Sequence, residues 1–225
     1  MSSDSKRSRA RELAATHLAR GDALGWFEPV YAQAAGVAAN VPWADLRPNP
    51  NLVEWLDAKA IRGDGRTALV VGCGLGDDAE LLADRGFRVT AFDVSPTAVA
   101  WCGRRFPRSA VRYAVGDLLS PPAIWRQAFD FVFEAYTLQV LPRALRDQAI
   151  SHMVDTVRPG GTLLLICRGR RPEDAEGQMP WPLLRVELSA LERSGIVLEE
   201  FEEFWDRHEE PPVWRFRACY SRPPA

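Results

Sequence analysis

No apolar run in this 225-residue chain approaches the roughly 20 residues that cross a bilayer. The polar, basic start, MSSDSKRSRARE, lacks the apolar stretch of a secretory signal and reads as a frayed leader outside the fold. A cytoplasmic protein with no membrane partner is expected. Cysteine is scarce. Cys73, Cys102, Cys167 and Cys219 are far apart and form no CxxC pair, which excludes a disulfide framework and a zinc site of the usual spacing. Histidine is scarcer still: His17, His152 and His208 have no carboxylate cluster at metal-ligand spacing, so no metal is expected and each reads as a surface residue. Charge of one sign is lacking too. With 28 basic against 30 acidic residues, the net charge of −2 offers no field for nucleic acid.

What is present is a single core. Hydrophobic residues make up 47% of the chain, enough for one domain of this length. The first 65 residues read as a helical and aromatic segment packed on that core. Within them, Leu13 to Leu24 is helix-like and ends at Gly25, GWFEPVYAQAAG is rich in aromatics, and VPWADLRPNPN is an irregular loop. Asn51 is placed to cap a short helix ending near Gly63. From residue 66 to 225, short apolar runs alternate with helical stretches. Ala68–Val71 is a continuous apolar run, as in a strand buried on both faces. The helix DAELLADRG follows, then the strand FRVTAFDV. Ser95 caps the next helix, with Pro96 in its first turn. Val111–Val115, Phe129–Ala135 and Thr162–Cys167 are further strands, with a helix over Arg143–Val157 and a turn at RPGG. A helix from Leu183 to about Arg193 precedes two closing strands, IVLEEFEEFWD and VWRFRACY. Such alternation predicts a parallel sheet with helices on both faces and one antiparallel member from the closing pair.

The most informative segment is Val70-Val71-Gly72-Cys73-Gly74-Leu75-Gly76-Asp77. A glycine turn between strand and helix lets a ligand touch backbone without interference from Cβ atoms. Alone it decides little, since such turns are common. Asp93, roughly twenty residues on at the end of the second strand, stands where a carboxylate accepts ribose hydroxyl protons; its simpler use is to cap the next helix. Asp117, in VGDLL, is placed either for an adenine amino group or as a turn residue. A dinucleotide would need G-x-G-x-x-G, but the third glycine comes early and Asp77 and Asp78 open the helix. Two carboxylates at a helix N-terminus mismatch a pyrophosphate. A ligand carrying an ammonium and a sulfonium suits the turn better.

The ordered segments LVVGCGLGDDAELLADRGFRVTAFDVSPTAV, VGDLL, FDFVFEAYTLQVLP and VRPGGTLLLI resemble the motifs of class I S-adenosylmethionine-dependent methyltransferases. The resemblance runs from Ala68 to Cys167. It implies a Rossmann-like three-layer sandwich whose seven-stranded, mostly parallel sheet ends in one antiparallel strand. It also implies S-adenosyl-L-methionine as cofactor and S-adenosyl-L-homocysteine as product. By the same likeness, Gly72, Cys73, Gly74 and Gly76 surround the methionine part, Asp93 with Val94 the ribose, and Asp117 with Leu118 the adenine. Glu134 and Ala135 then stand beside the transferring methyl group.

Two features bear on the acceptor. The lead-in GWFEPVY…VPWADLRPNPNLVEWL resembles that of the thiopurine and thiol methyltransferase group, in which a Trp-bearing loop covers the cofactor. Trp43 and Asp45 match best, with Trp26, Phe27 and Tyr31 as looser acceptor contacts. Aromatic faces stabilise a sulfonium and exclude water, although the same rings can simply pin the segment to the sheet. Tyr136-Thr137-Leu138-Gln139 follows the fourth strand; Tyr136 and Thr137 resemble the thiol and halide methyltransferases, while Leu138 and Gln139 depart from them, which argues against a halide and for a larger or more polar acceptor. Arg168 and the loop to Trp181 complete the expected rim, with Arg168 placed either to recognise an anionic acceptor or as a solvated surface arginine. Transfer to a small molecule is the expected reaction, with a thiol or other soft nucleophile first, since a thiolate forms readily. An O- or N-methyltransferase of a natural product, with Glu134, Tyr136 or His152 assisting deprotonation, and a non-catalytic binder are the alternatives. A monomer or homodimer fits either.

Overall fold

The apolar run at the start of the core forms β1 (Thr67–Val71), whose last four residues are buried. It pairs in parallel with β2 (Arg88–Asp93) on one side and β4 (Phe129–Ala135) on the other. The computed structural model, which describes residues 3–225, extends this pairing to seven strands. Their order is β3 (Arg112–Val115), β2, β1, β4, β5 (Val157–Arg170), β8 (Val213–Ser221) and β7 (Val197–Asp206). β8 is antiparallel to both its neighbours and is the one reversed strand. A two-residue strand, β6 (Leu183–Leu184), adds to the end of β5.

Alternation along the strands sends two apolar sets to opposite faces. Ala68 and Val70 pack with α3 (Pro50–Ala58) and α4 (Asp77–Asp84) through Leu52, Trp55, Leu56 and Leu82. Leu69 and Val71 face the other layer, where Ile150, Met153 and Val154 come from α6 (Arg143–Thr156) and Leu191 from α7 (Ser189–Arg193). The result is a three-layer α/β sandwich. α5 (Pro96–Arg105) packs against β2, β3 and α2 (Phe27–Gln33). The chain leaves β1 and β4 on neighbouring paths toward opposite layers, and ligands bind at the carboxyl ends of strands where the order reverses in this way.

Several local expectations are corrected. The start is not a frayed leader from residue 3 onward: Ser3–Leu18 forms α1, because Ala10 and Ala14 are buried against Trp26, Val30 and Met179, and Arg11 Nε donates to the Met179 carbonyl at 2.7 Å. The cap of α3 is Asn49, not Asn51. Its side chain accepts from the Asn51 N–H at 3.0 Å, Pro50 takes the first turn, and the helix stops at Ala58 rather than Gly63. RPGG is no free turn but lies within β5, where the register against β4 shifts between Phe129 and Phe131. The expected helix from Leu183 is shorter, since β6 and a 3₁₀ turn occupy Leu183–Leu188 before α7 begins.

Candidate active site

A cavity of about 350 Å³ opens at the carboxyl ends of β1, β2, β4 and β5, within the usual size range of ligand sites. Its floor is the turn after β1. Gly72 and Gly74 have φ of +62° and +53°, and both line the cavity. A Cβ at Gly72 would meet Thr137 Oγ1 at 2.4 Å; at Gly74 it would meet only the Tyr31 hydroxyl, at 3.3 Å. Gly72 is thus required by its close contact with Thr137, while the bare backbone edge at Gly74 leaves the space a ligand needs.

Asp93 ends β2 beside this turn. Its two oxygens accept from the backbone N–H groups of Gly74 at 3.0 Å and Ser95 at 2.9 Å. Burial pushes its carboxyl up to about 6, against the lowering effect of those bonds. Each oxygen keeps a further lone pair, and both Asp93 and Val94 line the cavity, so the carboxylate can accept hydroxyl protons from a ligand there. Leu118 lines it too.

Above the turn stand four rings from the segment before the sheet. Trp26 and Phe27 stack at 3.9 Å between centroids, and Trp43 meets Trp26, Phe27 and Tyr31 edge-on at 6.0, 6.2 and 5.9 Å. Trp43 Nε1 donates to the Tyr31 hydroxyl at 2.9 Å. Trp26 and Tyr31 are buried, whereas Trp43 is 40% exposed at the mouth, so it is the ring free to meet a ligand or to shield one. Glu28 holds the segment down: it accepts from Ser95 Oγ and Thr97 Oγ1, each at 2.5 Å, and from the Thr97 N–H at 3.1 Å.

The far side is built by Tyr136, Thr137, Gln139, Arg168 and Arg215. Tyr136 has φ of +70°, a left-handed backbone that aromatic side chains rarely adopt. Its ring lies under the Arg215 guanidinium at 4.2 Å, and burial pushes its phenol up to about 12. Gln139 is buried, and its Oε1 accepts from the Arg168 N–H at 2.7 Å.

Three sequence-predicted contacts are not brought to the cavity wall. Glu134 is fully buried behind it, with Oε1 accepting from the N–H groups of Thr137 at 2.6 Å and Leu138 at 3.1 Å, so it braces the loop after β4. Gly76, at φ +93°, is needed where a Cβ would strike Tyr113 Oη at 2.6 Å, which is packing rather than ligand contact. Asp117 folds back to accept from the Leu119 N–H at 2.7 Å, as a turn residue does. The electrostatics of the helix start also differ from the sequence reading. Asp77 is paired with Arg105 through two bonds of 2.7 Å, and Asp78 accepts from the Asn49 N–H at 2.7 Å.

Other wall residues escape a sequence reading. Asp206, His208 and Arg215 come from β7, β8 and their connection. Their signal is faint: an arginine within the apolar strand VWRFRACY, next to a central strand. His208 is exposed, as expected of a surface residue, yet it stands on the rim and bonds Glu54 Oε1 at 2.8 Å. His152 lies elsewhere, against the Leu118 carbonyl at 3.0 Å. Among the described residues, no group of His, Cys, Asp or Glu is placed to hold a metal ion, and no helix is long and apolar enough to cross a membrane.

Comparison with known proteins agrees with this geometry. Residues 68–161 match the model of a methyltransferase domain. A 2-heptyl-1-hydroxyquinolin-4(1H)-one methyltransferase of Mycobacteroides abscessus is 26% identical over 69% of this chain and 68% of its own. An S-adenosyl-L-methionine-dependent Diels-Alderase of Talaromyces variabilis is 30% identical over 64% of this chain, which spans only 49% of that protein. The magnesium protoporphyrin IX methyltransferase of Synechocystis PCC 6803, solved with its cofactor, superposes with a TM-score of 0.61 at 18% identity, covering 77% of each chain. Sheet order, the open glycine turn with its carboxylate and these likenesses converge: residues 68–161 are a methyltransferase domain on a Rossmann-like methyltransferase fold, and the chain is an S-adenosylmethionine-dependent enzyme.

Proposed function

We propose that this enzyme methylates a small molecule that reaches the site already ionised, such as a thiol or the acidic hydroxyl or N-hydroxyl of a heterocycle. The bound cofactor supplies a methyl carbon on a cationic sulfur. Gly74 leaves room for its methionine arm beside Gly72, Asp93 and Val94 hold the ribose, and Leu118 covers the adenine. Trp43 and the rings behind it close the mouth and exclude water, which suits a displacement in which charge is dispersed.

The carrying observation concerns the end of β4. Glu134 is sealed behind the wall with one oxygen committed to two N–H groups, while Tyr136, whose phenol sits near 12, keeps its proton at neutral pH. Neither is a base within reach of an acceptor, and the other wall groups are engaged, His208 with Glu54, Asp206 with Asn51 and Arg215, and Glu209 with Arg215, which supports an acceptor whose own acidity carries the deprotonation. The hydroxyquinolone substrate in the name of the Mycobacteroides relative belongs to this chemical class. Thiols, expected from the aromatic lead-in, belong to it as well.

A labelled methyl donor offered with thiols, phenols, N-hydroxy heterocycles and amines tests the reading. Rates should follow the ionised fraction of the acceptor as pH is varied. Glu134→Gln should keep the rate within about threefold of wild type, since losing a true general base costs roughly 10²–10⁴-fold. Transfer only to weakly acidic alcohols, or a Glu134→Gln variant that loses both its rate and its pH dependence, would overturn it.

A further inference from the structure

Arg168 on β5 and Arg215 on β8 are register partners in an antiparallel pair. Directly opposed residues leave a sheet on the same face, and both of these line the cavity. Like charges opposite one another oppose strand pairing, so the juxtaposition calls for an explanation in the site it faces.

Arg215 is 1% exposed. Its Nε donates to Asp206 Oδ2 at 3.1 Å and its Nη2 to Glu209 Oε1 at 2.5 Å, which leaves Nη1 buried with no acceptor. Arg168 has no carboxylate at ion-pair distance among the described residues, and its Nε is likewise buried without a partner. Burial, with the Arg215 charge beside it, holds the Arg168 guanidinium below the usual arginine range. Unmatched donors of this kind are costly unless a ligand fills them.

We propose that Arg168 and the free Nη1 edge of Arg215 bind a carboxylate carried by the methyl acceptor, which makes small acids with an apolar or aromatic body the substrate class. The inference rests on the small-molecule methyl-transfer reading above and deepens it. Charge decides for a monoanion. Asp206 and Glu209 are balanced by Arg215 and by Arg7, 3.9 Å from Glu209, which leaves Arg168 as the one positive charge that a single carboxylate neutralises. Asp206 does not compete for the donors, because its oxygens already accept from Asn51 Nδ2, Arg215 Nε and the His208 N–H. The planar guanidinium fork suits a planar carboxylate. Apolar walls for the rest of such a molecule come from Trp26, Phe27 and Tyr136. Position separates this subsite from the glycine turn, since β5 and β8 lie two and three strands from β1, roughly 10 and 14 Å along the sheet.

Calorimetry on the protein saturated with S-adenosylhomocysteine tests the assignment, using matched acids and amides: benzoate with benzamide, and 1-naphthoate with 1-naphthamide. The acid of a pair should bind about tenfold tighter or more, the usual size of a charge-assisted bond to a buried donor. Arg168→Met should erase that preference, keep S-adenosylhomocysteine affinity within about twofold of wild type, and melt no lower, because it relieves the opposed charges. No preference for the acid in either pair, with S-adenosylhomocysteine bound normally, overturns the proposal. So does loss of S-adenosylhomocysteine affinity in Arg168→Met, which would assign the arginines to the methionine arm, or a lower melting temperature with the preference intact, which would make Arg168 a structural strut. Failure of the wild type to bind S-adenosylhomocysteine would instead defeat the reading of the site beneath it.

Discussion

Asp93 serves two masters, and that changes which substitution is informative. Alanine would strand two N–H groups, of Gly74 and Ser95, and confound folding with binding. Asparagine keeps the volume and an acceptor but loses the charge. Because burial already favours the neutral carboxyl, Asp93→Asn should melt close to wild type. It should nevertheless weaken S-adenosylmethionine binding by roughly 1–3 kcal/mol, through loss of a charge-assisted bond; calorimetry with unchanged affinity would remove Asp93 from the ribose site. The placement of this residue and Gly74 at the cavity was legible in the sequence because strand, turn and acid are close along the chain. Arg215 was not, since only the placement of β8 beside β5 carries it to the cavity. The uses of Gly76 and Glu134 were hidden, and the choice between the two readings of Asp117 left open, for a related reason. Each has a side chain or a missing Cβ whose immediate neighbours decide between ligand and packing, and spacing alone cannot see them.

At the scale of elements, the aromatic rings over the site stay in place because α2 is tied to α5. Glu28 sits in the first turn of α2 and at the N-terminus of α5, so both helix ends favour its negative charge. Burial pushes its carboxyl up, but the hydroxyls of Ser95 and Thr97 more than offset this and leave it below its ordinary value. Glu28→Ala should therefore cost about 1–3 kcal/mol in thermal or denaturant melts. Amide exchange should rise across α2, and cofactor affinity should fall with it. The wild-type advantage is present above the ordinary glutamate range and fades as pH drops through the lowered folded value. An unchanged exchange pattern would show that ring packing alone seats α2. The elements of the sheet were readable from apolar runs bounded by glycine and proline. Those ahead of it were less so, because α1 is held by a few alanines against Trp26 and Met179 rather than by a strong apolar stripe.

For the molecule as a whole, the site leaves a mark on the response to pH. Burial raises the carboxyls of Asp78 and Asp93 to about 6 and of Glu134 to about 7. A carboxyl raised in the folded state binds its proton more tightly there than in the unfolded chain, so stability falls as pH climbs from the unfolded to the folded value. Each group contributes up to about 1.4 kcal/mol per pH unit within its window. The lowered carboxyls of Glu28, Asp130 and Asp206 work in the opposite sense, but only below the ordinary carboxylate range. Between about pH 7.5 and pH 5, then, the cofactor-free protein should become more resistant to heat as it is acidified. Cofactor binding should run the other way, because the ribose contact proposed for Asp93 needs its ionised form, and affinity should decline below about pH 6. Melting curves with and without S-adenosylhomocysteine across that range measure both trends at once, the stabilisation by ligand reporting affinity directly. Acidification should narrow the gap between the two curves while lifting the lower one. In Asp93→Asn the gap should lose its dependence on pH near 6; a gap that still shrinks there would place the titrating group at Asp78 or Glu134 instead.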